Sequence, residues 1–425
     1  MQDTVCCGCS VVCDDVAVEV TKTGIQSLGL CGLGHAYYSS IRSKSRLTKA
    51  QKKSKSKIAK TVSIKIAYEE ASAILSKSKH PLLIGWSNSP IEVSQLGLKL
   101  AKVLKGVYDS TASFEYGQLR QHNLVGGETG KISLEEIRNF ADFIVYWGVN
   151  PAESHHRHAS RYTVFPAGEK IPEGRESRIV AVLDIRQTES MRLANHQLIL
   201  DAEIGDEQFI TTLLTEIRGR PGTPPTKVGG IPAIGFLSFA KQIQEANYIA
   251  IFYGNGLLHS HHASKTLPLL SKVARVLNKK NRPCVTLPMV AYCNSIGVVK
   301  ASQAETKIPY SVDFNSQPPK PHKSVFQGLI TNEFDAAIIV GWDPISMLPA
   351  PIARALQQIP LITLATQPSL TTRESTIVIP TALTGAETTG TVYRMDGSAV
   401  PLQPITKPPA NLPSEEQVLE HLSVH

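Results

Sequence analysis

The feature that most constrains this chain is a repeated alternation of short apolar runs with amphipathic helical stretches. HPLLIGW (80–86) precedes PIEVSQLGLKLAKVLKG (90–106), where Ile91, Val93, Leu96, Leu98, Leu100, Val103 and Leu104 mark a helical stripe. ADFIVYWG (141–148), RIVAVLD (178–184), NYIAIFYG (247–254), RPCVTLP (282–288), FDAAIIVG (334–341) and PLITLA (360–365) continue the strand series. DEQFITTLLTEIRG (206–219), LSFAKQIQEA (237–246) and SKTLPLLSKVARVLN (264–278) continue the helical one, and Ser133 with Glu136 reads as a capping box opening another helix. Strands that are apolar throughout belong to parallel sheets covered by helices on both faces. There are too many units for one sheet, so the expected fold is α/β with multiple Rossmann-like parallel-sheet layers. The stretches 301–323 and 401–413 read as irregular.

At 425 residues the chain exceeds what one hydrophobic core usually supports. With 42% apolar residues and a mean hydropathy of −0.07, disordered and collagen-like classes are excluded. No apolar run reaches the roughly 18–20 residues of a membrane span, so no membrane association is expected. The start, MQDTVCCGCS, lacks a basic region followed by an apolar stretch, and a cytoplasmic location is expected. The net charge of +8 is local. Nine Lys or Arg and no acid fall in 41–60, and without them 35 basic residues face 36 acidic ones. That tract has no aromatic residue to stack on a base, so it reads as a solvated linker or docking arm, and no nucleic acid is expected.

Several strands run into Gly, Asn or Asp at their carboxyl ends: Gly148-Val149-Asn150, Asp184-Ile185-Arg186, Gly254-Asn255-Gly256 and Gly341-Trp342-Asp343. In open α/β sheets ligands bind beyond those ends, and such turns offer backbone N–H groups to phosphates. Simple strand-to-helix turn chemistry explains any one of them equally well.

Five of seven cysteines lie in the first 31 residues. Cys6, Cys9, Cys13 and Cys31 supply four thiolates, three of them packed into eight residues. Soft donors in this arrangement suit an iron–sulfur cluster or structural zinc. A zinc ribbon usually shows two Cys-x2-Cys pairs, and only Cys31 stands in the second half. An unmetallated remnant is the third reading, and Cys7 is spare. Neither a Gly-x-Ser-x-Gly elbow nor a Walker sequence is present.

Taken in order, a set of motifs resembles the B subunit of formylmethanofuran dehydrogenase, within the molybdopterin oxidoreductase superfamily. They are Val5-Cys6…Cys9…Cys13-Asp14-Asp15, Cys31-Gly32-Leu33-Gly34-His35, Pro81–Ser87, Val145-Tyr146-Trp147-Gly148…Asn150-Pro151, His155…Arg157-His158, Asp184…Arg186…Thr188, Tyr310…Asp313-Phe314 and Gly390-Thr391…Tyr393-Arg394-Met395. The likeness is strongest to the bacterial branch, where the protein is part of a formyltransferase/hydrolase complex. It implies a [4Fe–4S] cluster on Cys6, Cys9, Cys13 and Cys31. It also implies an ancestral site for a molybdopterin dinucleotide with Mo or W, near Gly148, Asn150, His155, Arg157, His158 and His259. Asp184, Arg186 and Thr188 would face a guanine nucleotide. His156, His261 and His262 do not match the pattern.

Redox-active members hold the metal by a Cys or selenocysteine in a segment like Thr-Ala-Ser-Val-Cys-His-Gly. Here the segment is Thr111-Ala112-Ser113-Phe114-Glu115-Tyr116-Gly117. Glu115 replaces the metal thiolate and Tyr116 the proton-handling His. Val290 stands where an Arg follows Pro-Met. Without these three the site lacks its soft ligand, its proton carrier and its anion holder. The resemblance therefore implies a non-redox scaffold with no catalytic residue of its own, and no bound molybdenum or tungsten. The alternative is a working Mo/W formyl dehydrogenase with Glu115 as a hard oxygen ligand. Implied partners are amidohydrolase-like, formyltransferase and glutamate-synthase-like subunits of the complex. Expected domains are a Cys-rich subdomain (1–40), a basic linker (41–60), a first α/β layer (61–135 with 290–425) and a central Rossmann-like domain (136–289).

Overall fold

The computed structural model describes residues 1–53, 59–116, 132–219 and 225–424, apart from the side chains of Tyr116 and Val424. The chain forms two compact units. The first comprises Met1–Phe114, Tyr292–Arg394 and Ala399–His425, the second Glu115–Ala291 and Met395–Ser398.

In chain order the principal strands are β1 (Pro81–Gly85), β2 (Val107–Ser110), β3 (Phe143–Trp147), β4 (Ile179–Asp184), β5 (His196–Ile199), β6 (Ile249–Tyr253), β7 (Cys284–Pro288), β8 (Ala336–Val340), β9 (Leu361–Ala365) and β10 (Ile377–Pro380). The first unit has a parallel core in the order β2-β1-β8-β9-β10. Short antiparallel strands extend it at both edges. The basic tract enters the sheet there: Ala50–Lys53 pairs with β10, and Ala59–Val62 lies outside it. Lys52 pairs with Glu70, and Lys53 lies 2.9 Å from Glu374. Residues 54–58 of the tract lie outside the described residues.

The second unit is an all-parallel sheet, β5-β4-β3-β6-β7. β1, β3, β6, β7 and β8 are buried at every position. That is why their sequences show no alternation: helices cover both faces, so neither face tolerates polar side chains. Leu82, Ile84, Ala337, Ile339 and Leu361 pack with Phe334 and Trp342 in the first, whereas Phe239 meets Phe143 edge-to-face and Phe209 at a tilt in the second.

Two expectations are corrected. Residues 301–306 are helical, the end of a helix Ser295–Thr306 that is buried around most of its circumference. Such a helix carries no amphipathic period to read. Residues 399–402, which reach into the expected irregular tail, pair antiparallel with Gly390–Tyr393. Among the described residues no helix is long and apolar enough to cross a membrane.

In each parallel sheet the strand order reverses once, between β1 and β8 in the first unit and between β3 and β6 in the second. Each reversal opens a crevice at the strands' carboxyl ends, where α/β proteins place ligands.

Candidate functional site

In the first unit β8 runs into Gly341-Trp342-Asp343-Pro344 and β9 into Thr366-Gln367-Pro368-Ser369. A cavity of about 430 Å³ lies there, walled by Asn88, Trp342, Asp343 and Gln367, and on another side by Cys7 and Tyr37. Asn88 Nδ2 donates to the Gly341 carbonyl at 2.9 Å, tying the end of β1 to that of β8. Asp343 Oδ1 accepts from the Thr371 amide at 2.9 Å and its hydroxyl at 2.5 Å. Burial alone would raise the Asp343 carboxyl, but the Thr371 bonds outweigh it and hold it below the usual range.

Beside this cavity lies the cysteine segment, built on a three-stranded antiparallel sheet (Gln2–Thr4, Val16–Val20, Ile25–Leu28) and the helix Gly32–Ser39. The loop closes on itself through Cys6 N to Cys13 O at 2.8 Å and Val12 N to Cys9 O at 3.2 Å. Cys31 is the N-cap of the helix. The Gly8 amide points at Cys6 Sγ at 3.4 Å. Arg394 clamps the loop from the far end of the sequence, on the Val12 carbonyl at 3.1 Å and Asp14 at 2.7 Å.

Cys6 and Cys9 feel Cys13 and Cys31 electrostatically. Burial and that mutual repulsion push Cys9 up to about 12 and Cys6 higher. Cys6 and Cys9, kept protonated this way, need a cationic centre to become thiolates. A lone zinc needs sulfurs about 3.8 Å apart, given Zn–S bonds of about 2.3 Å. Among the described residues no three His, Cys, Asp or Glu side chains converge closely enough for a single ion. Cys7 takes no part. It packs in a small apolar core with Cys293, Val12 and Val392, and its interaction with Cys293, with burial, holds it as a thiol.

In the second unit the residues at the switch point bond to one another. Gly148 has φ +59°, and a Cβ there would come within 2.4 Å of the Leu257 amide. Asn150 Oδ1 accepts from the Ser190 hydroxyl at 2.6 Å and amide at 3.3 Å, while its Nδ2 donates to Glu189 at 2.9 Å. His155 Nε2 lies 2.8 Å from the Val290 carbonyl and Nδ1 2.7 Å from Ser154 Oγ. Burial lowers His155 to about 4, so it is neutral at ordinary pH. Burial likewise lowers His158, which contacts Tyr146 at 3.1 Å and stacks edge-on against Phe252.

Around the Asp184 motif, Asp184 Oδ1 accepts the Arg186 amide at 3.2 Å, while the exposed Arg186 guanidinium faces Glu153 at 3.8 Å. Thr188 is buried. Arg157 is half-buried, and His259 is exposed after the short helix that follows β6. The structure thus gathers Gly148, Asn150, His155, His158, Asp184 and Thr188 at one end of one sheet. His156 and His261 are exposed, and His262 contacts Glu207 at 3.0 Å.

Glu115 is 4% exposed, in the helix Thr111–Tyr116 that follows β2. Asp109 at the end of β2 anchors that helix through the Ser110 amide (2.8 Å), Ser113 Oγ (2.8 Å) and the Ser311 amide (3.0 Å). Val290 is fully buried and offers its carbonyl to His155. Gly117 and the side chain of Tyr116 lie outside the described residues.

Over 430 residues the chain is 29% identical to the B subunit of the tungsten-containing formylmethanofuran dehydrogenase 2 of Methanococcus maripaludis, covering 99% of this chain and 97% of the relative. Identity to the corresponding subunit of Methanocaldococcus jannaschii is 28% over 428 residues, with the same coverage. The chain resembles the formylmethanofuran dehydrogenase B subunit over nearly its full length. No family profile matches it. Among solved structures, a chain of the formyltransferase/hydrolase complex of Methylorubrum extorquens, in complex with methylofuran, superposes with a TM-score of 0.66 at 18% identity, covering 88% of this chain and 98% of that one. Acetylene hydratase of Pelobacter acetylenicus superposes at 0.72 and 14% identity, covering 100% of this chain and 69% of that one. These two likenesses are of fold.

Proposed function

We propose that the chain is the B subunit of a formyltransferase/hydrolase complex in tetrahydromethanopterin- and methanofuran-linked one-carbon metabolism. In this reading it is a non-redox scaffold in the oxidation of formaldehyde to formate, working with amidohydrolase-like, formyltransferase and glutamate-synthase-like subunits in the cytoplasm. One observation carries the reading, a full-length likeness to the formylmethanofuran dehydrogenase B subunit; the resemblance implies that Glu115 and Val290 stand in place of the metal thiolate and the anion-holding arginine. A buried carboxylate is a hard donor, and a buried valine binds no anion.

Cys6, Cys9, Cys13 and Cys31 hold a [4Fe–4S] cluster in this reading, with the Gly8 amide tuning Cys6. A bound cluster would supply electron-transfer capacity, and in a scaffold its work is to fix the loop. A competing reading, an active Mo/W-pterin subunit with Glu115 on the metal, is favoured by the tungsten-containing names of both curated relatives. In that reading the residues at the β3/β6 switch point would help to hold a pterin dinucleotide.

The test is an assay of the native complex with formylmethanofuran and an artificial electron acceptor. The scaffold reading expects release of formate without dye reduction. Dye reduction that is lost in Glu115→Ala would replace it with the competing reading.

A further inference from the structure

A second cavity in the first unit, of about 550 Å³, adjoins the one described above, and Thr384 and Glu415 line both. Its walls come from the start of the helix Ile91–Val103, the loop 382–390 after β10 and the start of the helix Glu415–Val424. Glu92, Glu387, Glu415 and Glu416 line it with the hydroxyls of Thr384 and Ser414, and no Lys or Arg is among its lining residues. The acids are not equivalent. Glu387 is neutralised by Arg46 at 2.6 Å. Glu92 accepts the Thr391 amide at 3.0 Å. Glu415 is 7% exposed, has no basic partner among the described residues, and its Oε2 is buried without a hydrogen-bond partner.

We propose that this cavity binds a primary ammonium or guanidinium group, with Glu415 as its counter-charge. A buried oxygen with no donor costs about 1–3 kcal/mol, and an N–H cation in the cavity supplies both the charge and the donor. A metal ion does not fit, since no three His, Cys, Asp or Glu side chains among the described residues converge to hold one. Burial raises Glu415 to about 7, with the Ser89 hydroxyl opposing part of the shift. The other titratable groups around the two cavities it lines are Glu92, the Glu387–Arg46 pair and Glu416 on one side, and Cys7, Tyr37 and Asp343 on the other. Binding selects the carboxylate, so affinity rises with pH through 7 and a proton is released below it.

The cation is either a free amine or a side chain of another subunit. Calorimetric titration of the full chain with butylammonium and ethylguanidinium separates these. Saturable one-to-one binding is expected, about tenfold weaker at pH 6 than at pH 8 from the carboxylate fraction alone. Glu415→Gln should weaken it at least tenfold, and the exposed Glu416→Gln less than twofold. Probe binding to the isolated chain that disappears in the assembled complex assigns the cation to a neighbouring subunit, and binding in both assigns it to a free amine. Absence of saturable binding to the isolated chain and to the complex overturns the proposal, as does equal binding by Glu415→Gln. Proton release measured in buffers of different ionisation enthalpy checks wild type alone, so the test survives a variant that fails to fold.

Discussion

In the first unit β8 runs into Gly341-Trp342-Asp343-Pro344, and in the second β3 runs into Gly148-Val149-Asn150-Pro151. Both glycines are left-handed, at φ +60° and +59°. Both prolines open a four-residue helix, Pro344–Met347 and Pro151–Ser154. Each acid or amide between them is held the same way: Asp343 by the amide and hydroxyl of Thr371, Asn150 by those of Ser190. The outcome differs. Around Gly148 backbone closes to 2.4 Å of where a Cβ would sit, whereas around Gly341 the nearest atoms are at 3.5 Å and a cavity opens. One local device therefore serves a close backbone approach in one unit and an open cavity in the other, and the neighbours decide which.

The largest expected effect is at the close approach. Gly148→Ala forces a Cβ into the Leu257 amide at a positive φ and should cost roughly 4 kcal/mol in denaturant unfolding. Gly341→Ala, with the same φ but open space, should cost about 1 kcal/mol. Equal costs would break the contrast.

Acid is the next probe. His155 titrates near 4 when folded and 6.5 when unfolded. Its folded pKa is depressed, so stability is intact above 6.5 and declines as pH falls to 4, by about 3 kcal/mol in all. His155→Gln, which can still donate to the Val290 carbonyl, should flatten that slope in pH-dependent denaturant melts. An unchanged slope would show that His155 is accessible to protons in the folded state.

Smaller still are the two anchors. Asn150→Ala and Asp343→Ala each strand a buried amide and hydroxyl and should cost about 2 kcal/mol. A cost below about 0.5 kcal/mol for either, in the same melts, would end the parallel between them.

The parallel sheets were legible because a strand buried on both faces is apolar throughout, as in Phe143–Trp147 and Ala336–Val340. The helix Ser295–Thr306 was not, since a helix buried all round shows no period. Cys6, Cys9, Cys13 and Cys31 stood out by spacing. The strand-end triplets at 148 and 341 were visible singly, and the shared Gly-x-Asn/Asp-Pro pattern is the signal that pairs them. Glu415 carries no sequence signal: its shift arises from burial beneath distant segments. The tie between Arg394 and Asp14, 380 positions apart, is likewise tertiary.

In the proposed function, a chain resembling the formylmethanofuran dehydrogenase B subunit over its full length works without a reactive metal. Elemental analysis of the native complex, purified without oxygen, should find four irons for each copy of this chain, lost in Cys9→Ser, with tungsten and molybdenum at background. One tungsten or molybdenum per chain, displaced by Glu115→Ala, would overturn that function.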